Sequence, residues 1–239
     1  MRVARPEWRK RIGVLLYYIT DRTQFPGSES EKRRQVLAKI EAAARAGVDF
    51  IQLREKDLTA RELEELALQA TAALVRTSSP TRLLINSRTD VAFATGANGV
   101  HLRSNDISPR EARAVWTQAH GRTGRAPSPA IIAVSCHTQE DVLMASTHGA
   151  DFAVFGPVFG KAANPGTGIE ALRAACRSAS ITGSVPALVA VPMPVLALGN
   201  ISMENARECL AGGAAGIAGI RLFQEHPIQE IVAKLASAK

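Results

Sequence analysis

Cysteine is scarce in this chain. The 239 residues contain three, Cys136, Cys176 and Cys209, far apart in sequence. No C-x-x-C pair and no Cys/His ligand spacing occurs, which argues against a zinc site and against a disulfide framework. The three read instead as small buried apolar residues. Long apolar runs are also lacking: none nears the ~18 residues that a membrane-spanning helix needs. The run Val14-Leu15-Leu16 behind the basic N-terminus is too short for a signal sequence. The expectation is therefore a cytoplasmic protein with no membrane partner. DNA- and RNA-binding signatures are missing too, with no recognition-helix, RNP or zinc-finger pattern, so no nucleic-acid partner is expected.

What is present is an ordered globular composition, 46% hydrophobic and 21% charged, long enough for a sizeable core. The net charge of +7 would by itself suit nucleic acid, a membrane surface or phosphorylated metabolites. Several of the positive residues (Arg2, Arg5, Arg9, Lys10, Arg11) fall in a basic N-terminal extension, residues 1–12, and more in the segment Arg122 to Arg125.

From residue 13 to 239 the pattern is a single domain of short apolar strands alternating with helices. Strands are expected at Leu15–Thr20, Asp49–Arg54, Arg82–Asn86, Gly99–Leu102, Ile131–Ser135, Asp151–Phe155, Val195–Leu198 and Gly216–Ile220. Helices are expected at Ser28–Ala46, Thr59–Arg76, Thr89–Gly96, Ser108–Gln118, Thr138–His148, Ile169–Ala179, Ser202–Ala211 and Pro227–Ser237. Thr59 with Glu62 gives a capping-box signature, and Gly47 stands where a helix C-terminus wants a left-handed residue. His120–Pro129 reads as a surface loop and Thr182–Pro192 as an irregular insertion. Such alternation implies parallel strands with helical crossovers. Eight units in this length match an α/β fold of the (β/α)₈ TIM-barrel type, whose chemistry sits at the C-terminal strand ends.

Collecting those ends brings polar groups together. In Gln52-Leu53-Arg54-Glu55-Lys56 the alternation of a strand puts Gln52, Arg54 and Lys56 on one face. The other ends supply Asn86-Ser87-Arg88, His101 with Asp106, Ser135-Cys136-His137, Gly156-Pro157 with Lys161, Gly199-Asn200 and Gly219-Ile220-Arg221. Two anion sites are expected. Arg54, Lys56 and Asn86, with Lys161 from the loop after the sixth strand, suit a pyrophosphate, since Arg offers a bidentate fork and Lys a point charge. Asp106 is a candidate ligand for Mg²⁺. Gly199-Asn200 and Gly219-Ile220 occupy the usual phosphate position of barrels.

The ordered set YYITDR, FIQLREKD, LLINSRTDVAFATGANGVHL, AVSCHT, GADFAVFGPVFGK, PVLALGNIS and GGAAGIAGI resembles the thiamine phosphate synthase family and its relatives, the thiazole tautomerases, over roughly residues 15 to 225. The resemblance implies a barrel enzyme of thiamine biosynthesis. It would join hydroxymethylpyrimidine diphosphate to a thiazole phosphate and release pyrophosphate with Mg²⁺. Gln52, Arg54, Lys56 and Asn86 would then hold the pyrimidine diphosphate and Ser135 would contact it and its leaving group. Asp106 would ligate Mg²⁺, and the glycine loops after strands seven and eight would take the thiazole phosphate. A homo-oligomer is compatible with this reading.

Departures are concentrated at the mouth. The family usually has Asn-Asp-Arg where this chain has Asn86-Ser87-Arg88, which removes one metal carboxylate. Lys161 is kept in the loop after strand six without its usual threonines. Asn200 replaces a glycine, Arg221 follows Gly219-Ile220 where a small hydroxyl residue is usual, and Arg103 replaces a glycine. A tautomerase, shifting a proton on a thiazole carboxylate phosphate without metal, would use His137 as acid–base group. Retention of Lys56 and Asp106 favours the synthase. A non-catalytic barrel that binds thiazole phosphate or thiamine phosphate is the third reading.

Overall fold

The computed structural model describes residues 13–123, 129–160, 165–179 and 192–236. Eight parallel strands close into one barrel in sequence order: β1 (Leu15–Ile19), β2 (Phe50–Leu53), β3 (Arg82–Asn86), β4 (Gly99–Leu102), β5 (Ile131–Cys136), β6 (Phe152–Phe155), β7 (Val195–Ala197) and β8 (Gly216–Gly219). Helices α1 (Glu29–Ala46), α2 (Ala60–Thr77), α3 (Thr89–Ala94), α4 (Pro109–Thr123), α5 (Gln139–Thr147), α6 (Gly168–Ser178) and α7 (Ala206–Ala211) form the crossovers. The chain ends with α8 (Arg221–Glu225) and α9 (Ile228–Ala236). The expected TIM barrel is observed, closed by β1 pairing with β8 through Leu15 and Gly216.

Local chemistry fixes the helix ends. Ser28 and Glu31 form a reciprocal capping box on α1, and Thr59 and Glu62 form the expected one on α2. Thr138 and Asp141 form a third on α5. Each satisfies backbone N–H groups that the helix itself leaves open. Gly47 ends α1 at φ 87°, as anticipated.

The sequence pattern missed in three places. The helix α4 continues to Thr123, through residues assigned to a loop. The helix before β8 starts at Ala206, because Asn205 folds back to accept from the Ser202 backbone N–H. A short extra helix, α8, follows β8 directly. The N-terminal extension, Lys161 and all of the 182–192 insertion except Pro192 lie outside the described residues.

Two apolar layers hold the barrel. Tyr17, Phe50, Leu84, Ile131, Phe152, Val154, Leu196 and Ala218 fill its interior. The ring centroids of Phe50 and Phe152 lie 4.8 Å apart and those of Tyr17 and Phe152 5.4 Å apart. The second layer, including Ile51, Leu53, Leu83 and Ile85, packs under the helices. At roughly 1.5–3 kcal/mol for each fully buried large side chain, this packing is the main stabilising term. It also plugs the barrel, so that a polar ligand can enter only at the mouth. Among the described residues no helix is long and apolar enough to cross a membrane.

Candidate active site

The interior positions of each strand are alternate residues, and continuing that alternation past the strand ends gives the mouth. On β2 it runs Phe50, Gln52, Arg54. Gln52 is buried, and its Nε2 donates to Asn86 Oδ1 at 2.9 Å, tying the ends of β2 and β3. Arg54 is half-buried and Lys56 exposed. Burial pushes the Arg54 guanidinium below its ordinary pKa, opposed by the charges of Asp21 and Glu55. Among the described residues the Arg54 guanidinium makes no side-chain hydrogen bond. A half-desolvated cation with open donors is costly unless an anion completes it.

Glu55 faces the other way, as alternation requires, and forms a foundation for Arg54 that sequence reasoning did not identify as functional. It is buried and accepts from Thr20 Oγ1 at 2.6 Å and from the Arg22 backbone N–H at 2.9 Å. The Thr20 hydroxyl oxygen in turn accepts from the Arg54 backbone N–H at 3.0 Å. Arg22, itself buried, donates to Asp57 through both terminal nitrogens at 2.6 and 2.9 Å, to Glu55 at 3.3 Å and to Glu29 at 2.7 Å. Asp57 contributes most to raising the Arg22 pKa, with burial opposing. The signal was present in sequence as Asp21-Arg22 directly behind β1, paired with an acid at a position turned away from the mouth.

Next to this wall runs a second polar chain. Asn86 Nδ2 donates to Ser87 Oγ at 3.2 Å, and the Ser87 hydroxyl helps to lower the pKa of Asp106. Ser87 adopts φ 60°, a left-handed conformation that disfavours a side chain by roughly 1–2 kcal/mol. Arg103, which continues the interior alternation of β4, closes the chain from the far side. Its backbone N–H donates to Asp106 Oδ2 at 2.8 Å, and its Nε and Nη2 donate to Oδ1 at 3.1 and 2.9 Å. Burial pushes the Asp106 carboxyl up, but the bonds from Arg103 and Ser87 more than reverse this and hold it below its ordinary value.

That donor set decides how Mg²⁺ can fit. Both oxygens of the single carboxylate are committed to Arg103, with a hydroxyl where a second carboxylate was expected. Among the described residues no three His, Cys, Asp or Glu side chains gather to hold a metal ion. Magnesium wants near-octahedral oxygen ligands. The residues present do not make a resident divalent site.

Under the mouth lies a third chain. The Tyr17 hydroxyl is 3.0 Å from His101 Nδ1, and His101 Nε2 is 2.8 Å from Ser135 Oγ. His101 is buried and its pKa falls to about 3, through burial first and the positive charge of Arg54 second, with Asp106 opposing. The imidazole is therefore neutral, and its tautomer follows from its neighbours. Tyr17 has no other hydrogen-bond partner among the described residues, so its buried O–H must donate to Nδ1. Nε2–H then donates to Ser135 Oγ, leaving the serine O–H to donate outward. Neither Tyr17 nor His101 was singled out as a catalytic residue from sequence; the bond to Ser135 becomes visible only once β4 and β5 pair.

His137 lies one residue beyond β5, exposed, with Nδ1 2.6 Å from the Gly156 carbonyl oxygen. Nδ1–H is thus tied to the end of β6 and Nε2 faces outward. Cys136 and Cys209 are buried and Cys176 partly so, with burial pushing their thiols to about 12, 12 and 11. That agrees with the apolar role expected of them.

Across the mouth the ends of β6, β7 and β8 are built on backbone. Gly199 has φ 108°, and a Cβ there would sit 2.4 Å from Pro157 Cα. Only glycine allows the two loops so close. Asn200, also left-handed at φ 48°, joins three loops. Its Nδ2 donates to the Gly160 carbonyl at 3.2 Å and its Oδ1 accepts from Arg221 Nη2 at 2.8 Å. Gly219 and Ile220 end β8 immediately before Arg221. Arg221 thus brings a cation to the expected phosphate position, a role that sequence did not assign to it. The structure brings together Gln52, Arg54, Asn86, Asp106 and Ser135 on one side and Gly199, Asn200, Gly219 and Ile220 on the other.

With this geometry in hand, comparison with known proteins gives a consistent result. Residues 16–223 match the family described as thiamine monophosphate synthase. The chain is 40% identical over 221 residues to a Geobacter sulfurreducens protein named "Putative thiamine-phosphate synthase", covering 91% of this chain and 90% of that one. It is 32% identical over 218 residues to the thiamine-phosphate synthase of Caldanaerobacter subterraneus subsp. tengcongensis, covering 88% of each. Among solved structures it resembles thiamine phosphate pyrophosphorylase from Pyrococcus furiosus, with a TM-score of 0.70, 27% identity, and coverage of 94% of this chain and 95% of that one.

Proposed function

The chain belongs to the thiamine monophosphate synthase family, and on that premise we propose that it is a transferase of thiamine biosynthesis. It joins hydroxymethylpyrimidine diphosphate to thiazole phosphate, giving thiamine phosphate and pyrophosphate. The observation that carries this reading is the half-buried Arg54 guanidinium with open donors, seated on the Thr20–Glu55–Arg22 network beside the Gln52–Asn86 amide pair. Such a group calls for an anion, and Lys56 adds charge for a diphosphate.

In the reaction the bond between the pyrimidine methylene carbon and the diphosphate oxygen breaks, and the electron pair leaves with the diphosphate. Arg54 and Lys56 stabilise the charge that develops there. The Ser135 O–H, turned outward by His101 and Tyr17, donates to the same leaving group. A resonance-stabilised pyrimidine methylene cation remains. The thiazole nitrogen, already positioned, captures it through a new C–N bond and becomes the thiazolium. Gly199, Asn200, Gly219, Ile220 and Arg221 hold the phosphate of that second substrate. We assign the Mg²⁺ implied by the resemblance to the substrate's phosphates rather than to the protein, because both oxygens of Asp106 are already taken by Arg103.

Incubating the purified protein with both substrates and Mg²⁺ should yield thiamine phosphate and pyrophosphate in equal amounts. Failure to form either, with isomerisation of a thiazole carboxylate phosphate in its place, would overturn the assignment and favour the tautomerase. The relatives named above do not favour that alternative, nor a barrel without catalysis. A cytoplasmic location also belongs to the proposal.

A further inference from the structure

The exchange seen around Asp106 points to a specific device. A carboxylate at the mouth is held by both side-chain and backbone donors of one arginine. The pair sums to zero charge without any ion. The Asp106 side chain is 11% exposed and that of Arg103 57%, so the acid is the buried holder and the guanidinium the displayed group. A guanidinium carries five N–H donors, and the side-chain bonds to Asp106 use one on Nε and one on Nη2. The rest are left to meet a ligand. Arg103 and Asp106 line a cleft of about 180 Å³ that Ser135 also reaches and that Asp141, Met144 and His148 bound on the α5 side. Asn86, bonded to both Gln52 and Ser87, ties the adjoining end of β3 to the Arg54 wall.

We propose that Arg103 is the resident cation of the diphosphate pocket, held on Asp106 so that its guanidinium meets the diphosphate where a protein-bound metal ion would otherwise stand. This rests on the synthase reading for the identity of the substrate, but the binding itself is testable without it. The simpler role for an i,i+3 pair is to staple the loop before α4. That role predicts a small loss of stability, as for other exposed ion pairs, and no effect on anion binding.

The decisive measurement is calorimetric titration of inorganic pyrophosphate into the full-length protein in EDTA, for wild type, R103M and R103K. Wild type should bind without metal, R103M should bind at least about tenfold more weakly, and R103K should fall between them, because lysine keeps the charge and loses the fork. Electron paramagnetic resonance of Mn²⁺ with the ligand-free proteins gives the second readout. Removal of the guanidinium opens Asp106, so R103M should bind Mn²⁺ more tightly than wild type. The proposal is overturned if wild type binds no pyrophosphate in EDTA, if R103M binds it as wild type does, or if Mn²⁺ binding is equal in the two. Turnover of the two substrates is scored separately. Arg103-dependent pyrophosphate binding without thiamine phosphate formation overturns the synthase assignment alone. Thiamine phosphate formation with Arg103-independent binding overturns this inference alone.

Discussion

The two walls of the barrel mouth, which we propose meet anions, are built by different means. On the β2–β4 side the work falls to side chains: Arg54 on its buried Thr20–Glu55–Arg22 footing, the Gln52–Asn86 amide pair, and Arg103 on Asp106. On the β6–β8 side it falls to close backbone approach at Gly199, with Asn200 and Arg221 as the polar additions. The difference follows from the proposed ligands. A departing diphosphate gains charge as its bond breaks, and fixed cations stabilise that gain. A phosphate group that only anchors its substrate changes charge little, so backbone N–H groups and one arginine suffice. The two walls should therefore fail differently when broken.

The largest effect is expected from the side-chain wall. Arg54→Met should lower kcat/KM by about a thousandfold, in the range seen when a donor to developing charge is removed. The KM for thiazole phosphate should stay near wild type. Steady-state kinetics with each substrate varied separately will check this; equal damage to both substrates would erase the distinction between the walls. The opposite wall should respond to Gly199→Ala. The new Cβ meets Pro157 Cα at 2.4 Å with the backbone at φ 108°, so the loops after β6 and β7 must separate. A KM for thiazole phosphate raised roughly tenfold is expected, with destabilisation of about 1–2 kcal/mol from the left-handed backbone alone. The pyrimidine diphosphate KM should be unmoved. An Ala variant with wild-type kinetics for both substrates would remove that wall from the site.

The same contrast governs how much of the molecule was legible in its sequence. Strand alternation is a local property, so Gln52, Arg54 and Lys56 could be placed on one face from their spacing alone, and the barrel followed from eight such units. The capping box of Thr59 and Glu62 was readable for the same reason. What could not be read were bonds between residues far apart in the chain. Tyr17 and His101 are separated by 84 positions, and Arg22 and Glu55 by 33; each pair is made by strand closure. The extent of α4 was missed because Gly121 broke the pattern expected of a helix, although the chain continues helical to Thr123. Arg103 was visible as an unusual residue, but its partner and purpose depended on the turn that brings Asp106 back onto it.

A smaller effect tests the layer beneath the side-chain wall. Tyr17→Phe removes the only donor to His101 Nδ1 among the described residues, so the proton on Nε2 is no longer favoured by its surroundings. Nitrogen NMR should show a rise in the Nδ1–H tautomer, and kcat should fall about tenfold, less than the ~10²-fold or more that outright loss of a donor costs, with little change in either KM. A merely structural Tyr17 would destabilise the fold without moving the tautomer.

The last test leaves activity aside and reads that buried layer through stability. His101 has its pKa lowered from 6.5 to about 3, by burial and then by Arg54, so the folded protein keeps the ring neutral while the unfolded chain protonates it. Between those two values the unfolded state binds more protons, and stability must rise with pH. The contribution is complete above the unfolded value near 6.5 and is lost as pH falls below it, at up to about 1.4 kcal/mol per pH unit. From pH 7 to pH 5 this amounts to roughly 2 kcal/mol, or about 4 to 8 °C in Tm for a chain of this length. That interval lies above the range in which the carboxylates lowered by ion pairing, such as Asp57 and Asp106, begin to take up protons. In His101→Asn the slope between pH 7 and pH 5 should flatten while the steeper loss at lower pH persists. An unchanged slope in that variant would mean that the titrating group lies elsewhere, and that the neutral imidazole beneath Ser135 is not what the two polar chains were built to hold.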